Sequence, residues 1–362
     1  MEVLHRQRMK DFYAGQRVLV TGHTGFKGGW LCVWLKQMGA SVSGFSLAPA
    51  RTPNLFESVQ VGEGLESHIG DIRDAGQLRG VMEQTQPTLV FHLAAQPLVR
   101  LSYADPVGTF ATNVMGTVHL LDAVRQVPSV RGVVVVTSDK CYDNKEWLWG
   151  YRENEAMGGA DPYSCSKGCA ELVTAAYRRS FTGAQSSLAI ASGRAGNVFG
   201  GGDWSNDRLI PDIAKAVMKG HPVIIRNPSA VRPWQHVLEP LSGYLLLGQK
   251  LFSGESTWAD AWNFGPDPGA DLTVGELAET ALQRWGKGRM EIQQDPLAPH
   301  ESNLLRLDSS KARKVLKWRP VLSLGEAITW TVDWYRAFER TPLLMRKVTT
   351  SQVEQYVERL TW

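Results

Sequence analysis

This sequence predicts an α/β fold, a doubly wound parallel sheet with a smaller, loop-rich C-terminal domain, and three observations carry the prediction. Short apolar runs alternate with helical stretches through the first half of the chain, as strands do when helices cover both faces of their sheet. A loop with glycine at every third position, Gly22-His-Thr-Gly25-Phe-Lys-Gly28, joins the first apolar run to the first helical stretch. After residue 193 the alternation fails and Gly and Pro become dense, at Gly200-Gly-Gly202, Pro211, Pro222, Pro228, Pro233 and Pro240. Residues 1–193 are therefore expected to form the sheet domain, and 194–362 mainly the second, with segments returning to the first.

The elements follow in order. Residues 17–21, 41–45, 88–93 and 132–137 read as buried strands, each a short apolar or β-branched run; 68–70 reads as a shorter one and 187–192 as a sixth. Between them, 26–38, 75–84 and 106–125 carry helical patterns. The helix expected over 162–181 starts at Asp161-Pro162, where an acidic cap precedes a proline suited to the first turn. A helical run over 324–338 closes the fold.

Composition narrows the class. With 362 residues, 43% hydrophobic and 21% charged, the chain can bury a large core. Thirty-nine basic against 36 acidic residues leave a net charge of +3, too balanced for a nucleic-acid footprint but compatible with a local basic pocket for an anionic substrate. The four cysteines, Cys32, Cys141, Cys165 and Cys169, show neither C-x-x-C spacing nor a disulfide framework, and the histidines form no ligand pair. Reduced thiols and no metal are expected. The amino terminus lacks the apolar stretch of a signal peptide and no run is long enough to span a bilayer, which predicts a cytoplasmic protein.

Two motifs carry chemistry. In the glycine loop, Gly22 permits the tight turn, Gly25 lets the backbone approach a pyrophosphate, and Gly28 lets the helix pack closely. The helix amino terminus adds partial positive charge, so the loop reads as a Rossmann-type dinucleotide site. A P-loop is excluded because Phe26-Lys27-Gly28-Gly29 lacks the G-K-[ST] sequence. The second motif is Tyr163-Ser-Cys-Ser-Lys167: a tyrosine and a lysine four apart share a helix face, so the ammonium can favour phenolate and supply a general base.

Loop spacing G-x-x-G-x-x-G and the Tyr163/Lys167 pair resemble the short-chain dehydrogenase/reductase superfamily, in its extended branch acting on nucleotide sugars. The resemblance continues through Gly70-Asp71-Ile72, His92-Leu93-Ala94-Ala95-Gln96, Asn113 and Arg194-Ala-Gly-Asn197, nearly the whole chain. It implies NAD as cofactor, held by Gly22, Thr24, Gly25, Phe26, Lys27 and Gly28, with Asp71 and Ile72 about the adenine and Ala94 and Ala95 lining the site. Tyr163 becomes the base, Lys167 a nicotinamide-ribose ligand, and Ser138 a partner of the hydroxyl that is oxidised. Plain alternatives stand beside three of these: Asp71 as a turn cap, His92 as a core histidine, and Asn113 as a packing residue. The second strand ends at Ser46 with no acidic residue to hold the adenosine ribose and Arg51 nearby, which predicts NAD bound through Ser46 with relaxed discrimination against NADP.

Ser138-Asp139-Lys140 separates the possible reactions, because it follows four valines and so emerges at the carboxyl end of a central strand. A reductase or epimerase uses the hydroxyl but has no need of an acid beside it. Related nucleotide-sugar dehydratases carry Asp-Glu here, the aspartic acid protonating the leaving hydroxyl and the glutamate taking the carbon 5 proton. This chain keeps Asp139 and has Lys140 in the second place, either a base or an electrostatic stabiliser. The resemblance is to dehydratases acting on CDP-glucose, on a route to deoxysugars for surface polysaccharide such as O-antigen; the base preference rests on overall resemblance alone. An epimerase, a GDP-mannose-type dehydratase and a non-catalytic dinucleotide sensor are the other readings.

Substrate contacts are expected from Gln96, Asn197, Arg208, Lys215, Arg226, Arg232 and His300, with Arg232 in Arg232-Pro-Trp-Gln-His-Val237 the expected diphosphate ligand. Trp30 and Trp34, four apart, are expected in the core, and Trp147, Trp149 and Trp204 in loops about the site. The helices near 106–125 and 162–181 resemble those of a family dimer interface, so a homodimer, or a tetramer built from it, is expected.

Overall fold

A computed structural model describes residues 2–183, 187–267, 271–293 and 304–361 of the chain. Seven parallel strands form the central sheet: β1 (Arg17–Thr21), β2 (Ser41–Ser46), β3 (Glu66–Ile69), β4 (Leu89–His92), β5 (Gly132–Val136), β6 (Ala189–Arg194) and β7 (Ala261–Asn263). Their order is β7-β6-β5-β4-β1-β2-β3. Progression reverses between β1 and β4, and a doubly wound sheet opens its ligand crevice at such a reversal, beyond the carboxyl ends of the strands. The central position of β5 explains its composition: all five residues of Gly-Val-Val-Val-Val are buried, and β-branched side chains suit a sheet covered on both faces.

Three departures from the sequence reading have physical causes. Strand β7 was not expected: Ala261-Trp-Asn263 is too short to show a period, yet it pairs Ala261 with Ser192 and closes the sheet edge from the second half of the chain. The helix expected over 106–125 is instead Pro106–Phe110 and Gly116–Gln126 joined by a π-helical turn, Ala111–Met115. That wider turn carries Asn113, whose amide bonds outside the helix. The sixth strand starts at Ala189 and runs on to Arg194.

Helix Leu238–Leu251 from the second half lies directly on the sheet. Gly243 has no room for a β-carbon, which would stand 2.3 Å from the Phe264 ring, and Tyr13 donates to Leu245 O at 2.7 Å. Around it are helices Leu209–Lys219, Val274–Trp285, Leu324–Arg340 and Met345–Glu358, with three two-stranded ladders. Trp30 and Trp34 of helix Phe26–Gln37 are fully buried, as their spacing predicts. Trp204 lies in a loop and buries its indole against Tyr335 and Phe338, at ring separations of 5.2 and 5.0 Å. Among the described residues no helix is long and apolar enough to cross a membrane.

Candidate active site

The glycine loop sits at the reversal point. Gly22 adopts φ +79°, and a β-carbon there would lie 2.8 Å from Ala94 N; one at Gly28 would lie 2.1 Å from Gly22 O. Loop, β4 exit and helix are thus packed backbone against backbone. Gly25 caps helix Phe26–Gln37 without any side-chain hydrogen bond, so the first N–H groups of the helix have no side-chain acceptor and suit an anion such as a dinucleotide pyrophosphate. Lys27, in that first turn, makes no hydrogen bond or ion pair among the described residues. Burial, with Arg208 and Lys167 nearby, lowers its ammonium to about 7, while Asp139 and Asp203 pull the other way.

Ser138, Asp139, Tyr163 and Lys167 come together, all buried. Ser138 Oγ donates to Asp139 Oδ1 at 2.9 Å and accepts from Lys140 N at 3.2 Å. Helix Pro162–Phe181 carries Tyr163 and Lys167, begins with Asp161 accepting from Ser164 N, and is fixed to the sheet by one buried carboxylate. Glu171 accepts from Thr137 at 2.5 Å, from Ser192 at 2.8 Å and from Arg194 at 2.7 Å. Arg194 in turn donates to the Tyr142 hydroxyl. A paired, fully hydrogen-bonded buried carboxylate is costly to break and holds its helix in one register. Asn113 adds a second tie, accepting from Gln96 N and donating to Gln96 O and Ser166 Oγ.

Burial pushes the Tyr163 phenol up to about 12, against the pull of the Ser138 hydrogen bond and Arg208, and lowers Lys167 to about 8. Desolvation outweighs the neighbouring charges at both groups.

The other expected residues are placed as follows. Thr24 and Ser46 hydroxyls lie 2.7 Å apart and both donate to Leu47 O. Asp71 is gripped by the Arg73 guanidinium and backbone N–H, which holds its carboxyl low. Ile72 packs on Gly116. The Gln96 amide is engaged by Leu98 and Thr109. Ala95 follows Ala94 in the same half-buried loop. Asn197 holds a positive φ of 43°, with Nδ2 buried and unpartnered. Three of the cations already face carboxylates: Arg208 with Asp203 at 3.1 Å, Lys215 with Asp212 at 2.8 Å, and Arg226 with Asp207 at 3.0 Å. Arg232 lies in a short antiparallel ladder with Leu272 and donates to Val231 O. The Lys140 ammonium makes no hydrogen bond or ion pair among the described residues, and His300 lies outside them. His92, between Thr21 and Thr117 hydroxyls, is a satisfied core histidine lowered by burial to about 3.

Lys27 beside Asp139 and Lys167, Arg51 donating to Trp204 O, and Tyr244 within electrostatic reach of Asp139 are the neighbours that spacing along the chain does not show. A cavity of about 750 Å³ lined by Arg152, Arg178, Arg194 and Lys311 is separate: none of the four buried site residues lines it. The arrangement can do acid–base chemistry on a hydroxylated ligand next to a dinucleotide: a phenol, a serine hydroxyl and a carboxyl lie buried together with two lysines.

Known proteins match over the same span. The family described as GDP-mannose 4,6 dehydratase matches residues 19–331. CDP-glucose 4,6-dehydratase of Salmonella typhimurium is 52% identical over 335 residues, covering 91% of this chain and 93% of that protein. The solved dTDP-glucose 4,6-dehydratase of Streptomyces venezuelae, with NAD bound, is similar with a TM-score of 0.76 at 26% identity, over 90% of this chain and 99% of that one. UDP-glucose 4-epimerase of Thermus thermophilus, also in complex with NAD, gives 0.76 at 28% identity, over 88% and 98%.

Proposed function

The chain belongs to the GDP-mannose 4,6 dehydratase family, and from that premise we propose that it is an NAD-dependent hydro-lyase converting CDP-glucose to CDP-4-keto-6-deoxyglucose. The observation that carries this reading is the buried Asp139, bonded to Ser138 in the pocket of Tyr163 and Lys167: an acid beside the oxidation machinery serves elimination and has no use in epimerisation. The choice of CDP-glucose rests on the 52% identity to a dehydratase of that name.

Each residue then has a task. Tyr163, aligned with Ser138, takes the proton of the carbon 4 hydroxyl, and Lys167 holds the nicotinamide ribose. Held by the glycine loop Gly22–Gly28 and Lys167, NAD would supply a hydride acceptor for carbon 4 and the same hydride for carbon 6, so that no reductant would be consumed. The carbon 4 ketone acidifies the carbon 5 proton, which we assign to Lys140, in the place where related dehydratases carry glutamate. Asp139 gives its proton to the departing carbon 6 hydroxyl. Arg232 and Arg208 hold the diphosphate, with Asp203 giving way to it. A homodimer through helices Pro106–Phe110, Gly116–Gln126 and Pro162–Phe181 covers the exposed Val107, Met115 and Leu172, and the enzyme works in the cytoplasm on a deoxysugar route.

Incubation of the purified protein with CDP-glucose, and separately with UDP-, dTDP- and GDP-hexoses, without added NADPH tests the reading. A 4-keto-6-deoxy product from CDP-glucose first among them is expected; a 4-epimer, or no product from any of them, overturns it.

A further inference from the structure

Three buried polar atoms beyond the carboxyl ends of β5 and β6 have no hydrogen-bond partner: Asp139 Oδ2, the Tyr244 hydroxyl and Gln235 Oε1. Their residues are 2%, 0% and 3% exposed. They come from three separate stretches of chain: Asp139 and Gln235 both meet Gly196, and Tyr244 lies within electrostatic reach of Asp139. Asp139 Oδ2 lies so close to Gly196 that a β-carbon there would stand 1.9 Å from it. The Gln235 amide is tied to the same glycine, its Nε2 donating to Gly196 O at 3.3 Å and to Phe264 O at 2.8 Å. Both acceptors are carbonyls, so the amide cannot be turned round and Oε1 stays an acceptor in want of a donor. Tyr244 packs edge-on against Phe264 at 5.5 Å, and a β-carbon on Gly193 would meet its ring at 2.7 Å. Burial, then the charges of Asp139 and Tyr163, raise its phenol, so it remains a donor.

Buried polar atoms in folded proteins are nearly always satisfied, by protein or by ordered water. This trio consists of two acceptors and one donor. A single water would satisfy it, donating to Asp139 Oδ2 and Gln235 Oε1 and accepting from the Tyr244 hydroxyl.

We propose that Tyr244 and Gln235 hold one buried water against Asp139 and that this water positions the acid of the elimination step. The inference rests on the dehydratase reading above. In that step the carbon 5 proton passes to the base, the carbon 5–carbon 6 double bond forms, the carbon 6–oxygen bond breaks, and the Asp139 proton leaves with that oxygen as water. Asp139 ends as a carboxylate, and the hydrogen bond from the held water strengthens as that charge develops. Tyr244 and Gln235 act through the water on Asp139 and are positioning residues, and the Gln235 following Arg232-Pro-Trp thereby gains a role distinct from the arginine's.

Tyr244→Phe removes the hydroxyl and leaves the ring. Single-turnover experiments with CDP-glucose, following reduced-nicotinamide absorbance and product across pH 6–9, separate oxidation from water loss. Oxidation is expected within about twofold of the parent, and water loss at least about tenfold slower. Unchanged water loss overturns the proposal, as does an equal slowing of both steps, which marks a packing defect. A crystal structure of the holoenzyme with no water within hydrogen-bonding distance of the three atoms overturns it too. If the parent itself gives no product, the dehydratase reading has failed rather than this inference.

Discussion

In the proposed reaction Tyr163 serves the oxidation and Asp139 the loss of water, and burial holds the Tyr163 phenol up at about 12. Changing Tyr163 to Phe is expected to abolish the first half: no reduced-nicotinamide absorbance and no ketone, a loss of roughly 10²–10⁴-fold typical of a missing general base. Asp139→Asn and Lys140→Ala are expected to spare that half and slow water loss, so that the absorbance accumulates in a single turnover. Normal substrate binding with no accumulation in either variant removes both residues from the elimination. At this scale much was legible in the sequence. Tyr163 and Lys167 stand four apart, and Asp139 comes just beyond a valine run, so period and strand-end position place them in the fold, while the roles proposed for them rest on resemblance. The counter-charges on Arg208, Lys215 and Arg226, and the trio around Gly196, were not, because each joins residues whose nearness only the folded chain creates.

Elements are held by a few buried polar ties, and Glu239 is the clearest. Its carboxyl accepts from Val321 N, Leu322 N and the Tyr356 hydroxyl, joining helix Leu238–Leu251 to the segment after Trp318 and to helix Met345–Glu358. Burial raises it to about 7 despite those donors. A carboxyl with a raised folded pKa keeps its proton while the unfolded chain has lost it. Between about pH 4.5 and 7 the folded state therefore binds more protons, and the stability it contributes falls as pH rises through that window. Denaturant melts of the parent and Glu239→Gln at pH 5 and 7.5 are expected to differ in favour of the glutamine variant by up to ~2 kcal/mol more at the higher pH. A difference that does not change with pH contradicts the shift. The sequence showed the helices of the first half because their boundaries carry caps and prolines. It missed the π turn at Ala111–Met115, where Asn113 bonds to Gln96 and Ser166 rather than obeying helical period, and it missed β7, whose three residues take their strand form from pairing with β6.

Across the whole molecule, the proposed function gives cofactor and substrate anions separate anchors, the glycine loop at the sheet and the cations of the second half. Arg232→Ala is expected to weaken CDP and CDP-glucose alike by roughly 2–4 kcal/mol while leaving NAD affinity nearly unchanged, and Arg232→Lys to restore it only in part. Calorimetric titration of each ligand checks this; CDP binding as tight as the parent's moves the diphosphate site elsewhere. The central claim is that one pocket oxidises carbon 4 and reduces carbon 6 of the same sugar. CDP-glucose deuterated at carbon 4, turned over once by the protein with unlabelled NAD, measures this directly. The account predicts deuterium at carbon 6 of the 4-keto product. Deuterium retained at carbon 4, or lost to water or to released cofactor, contradicts it.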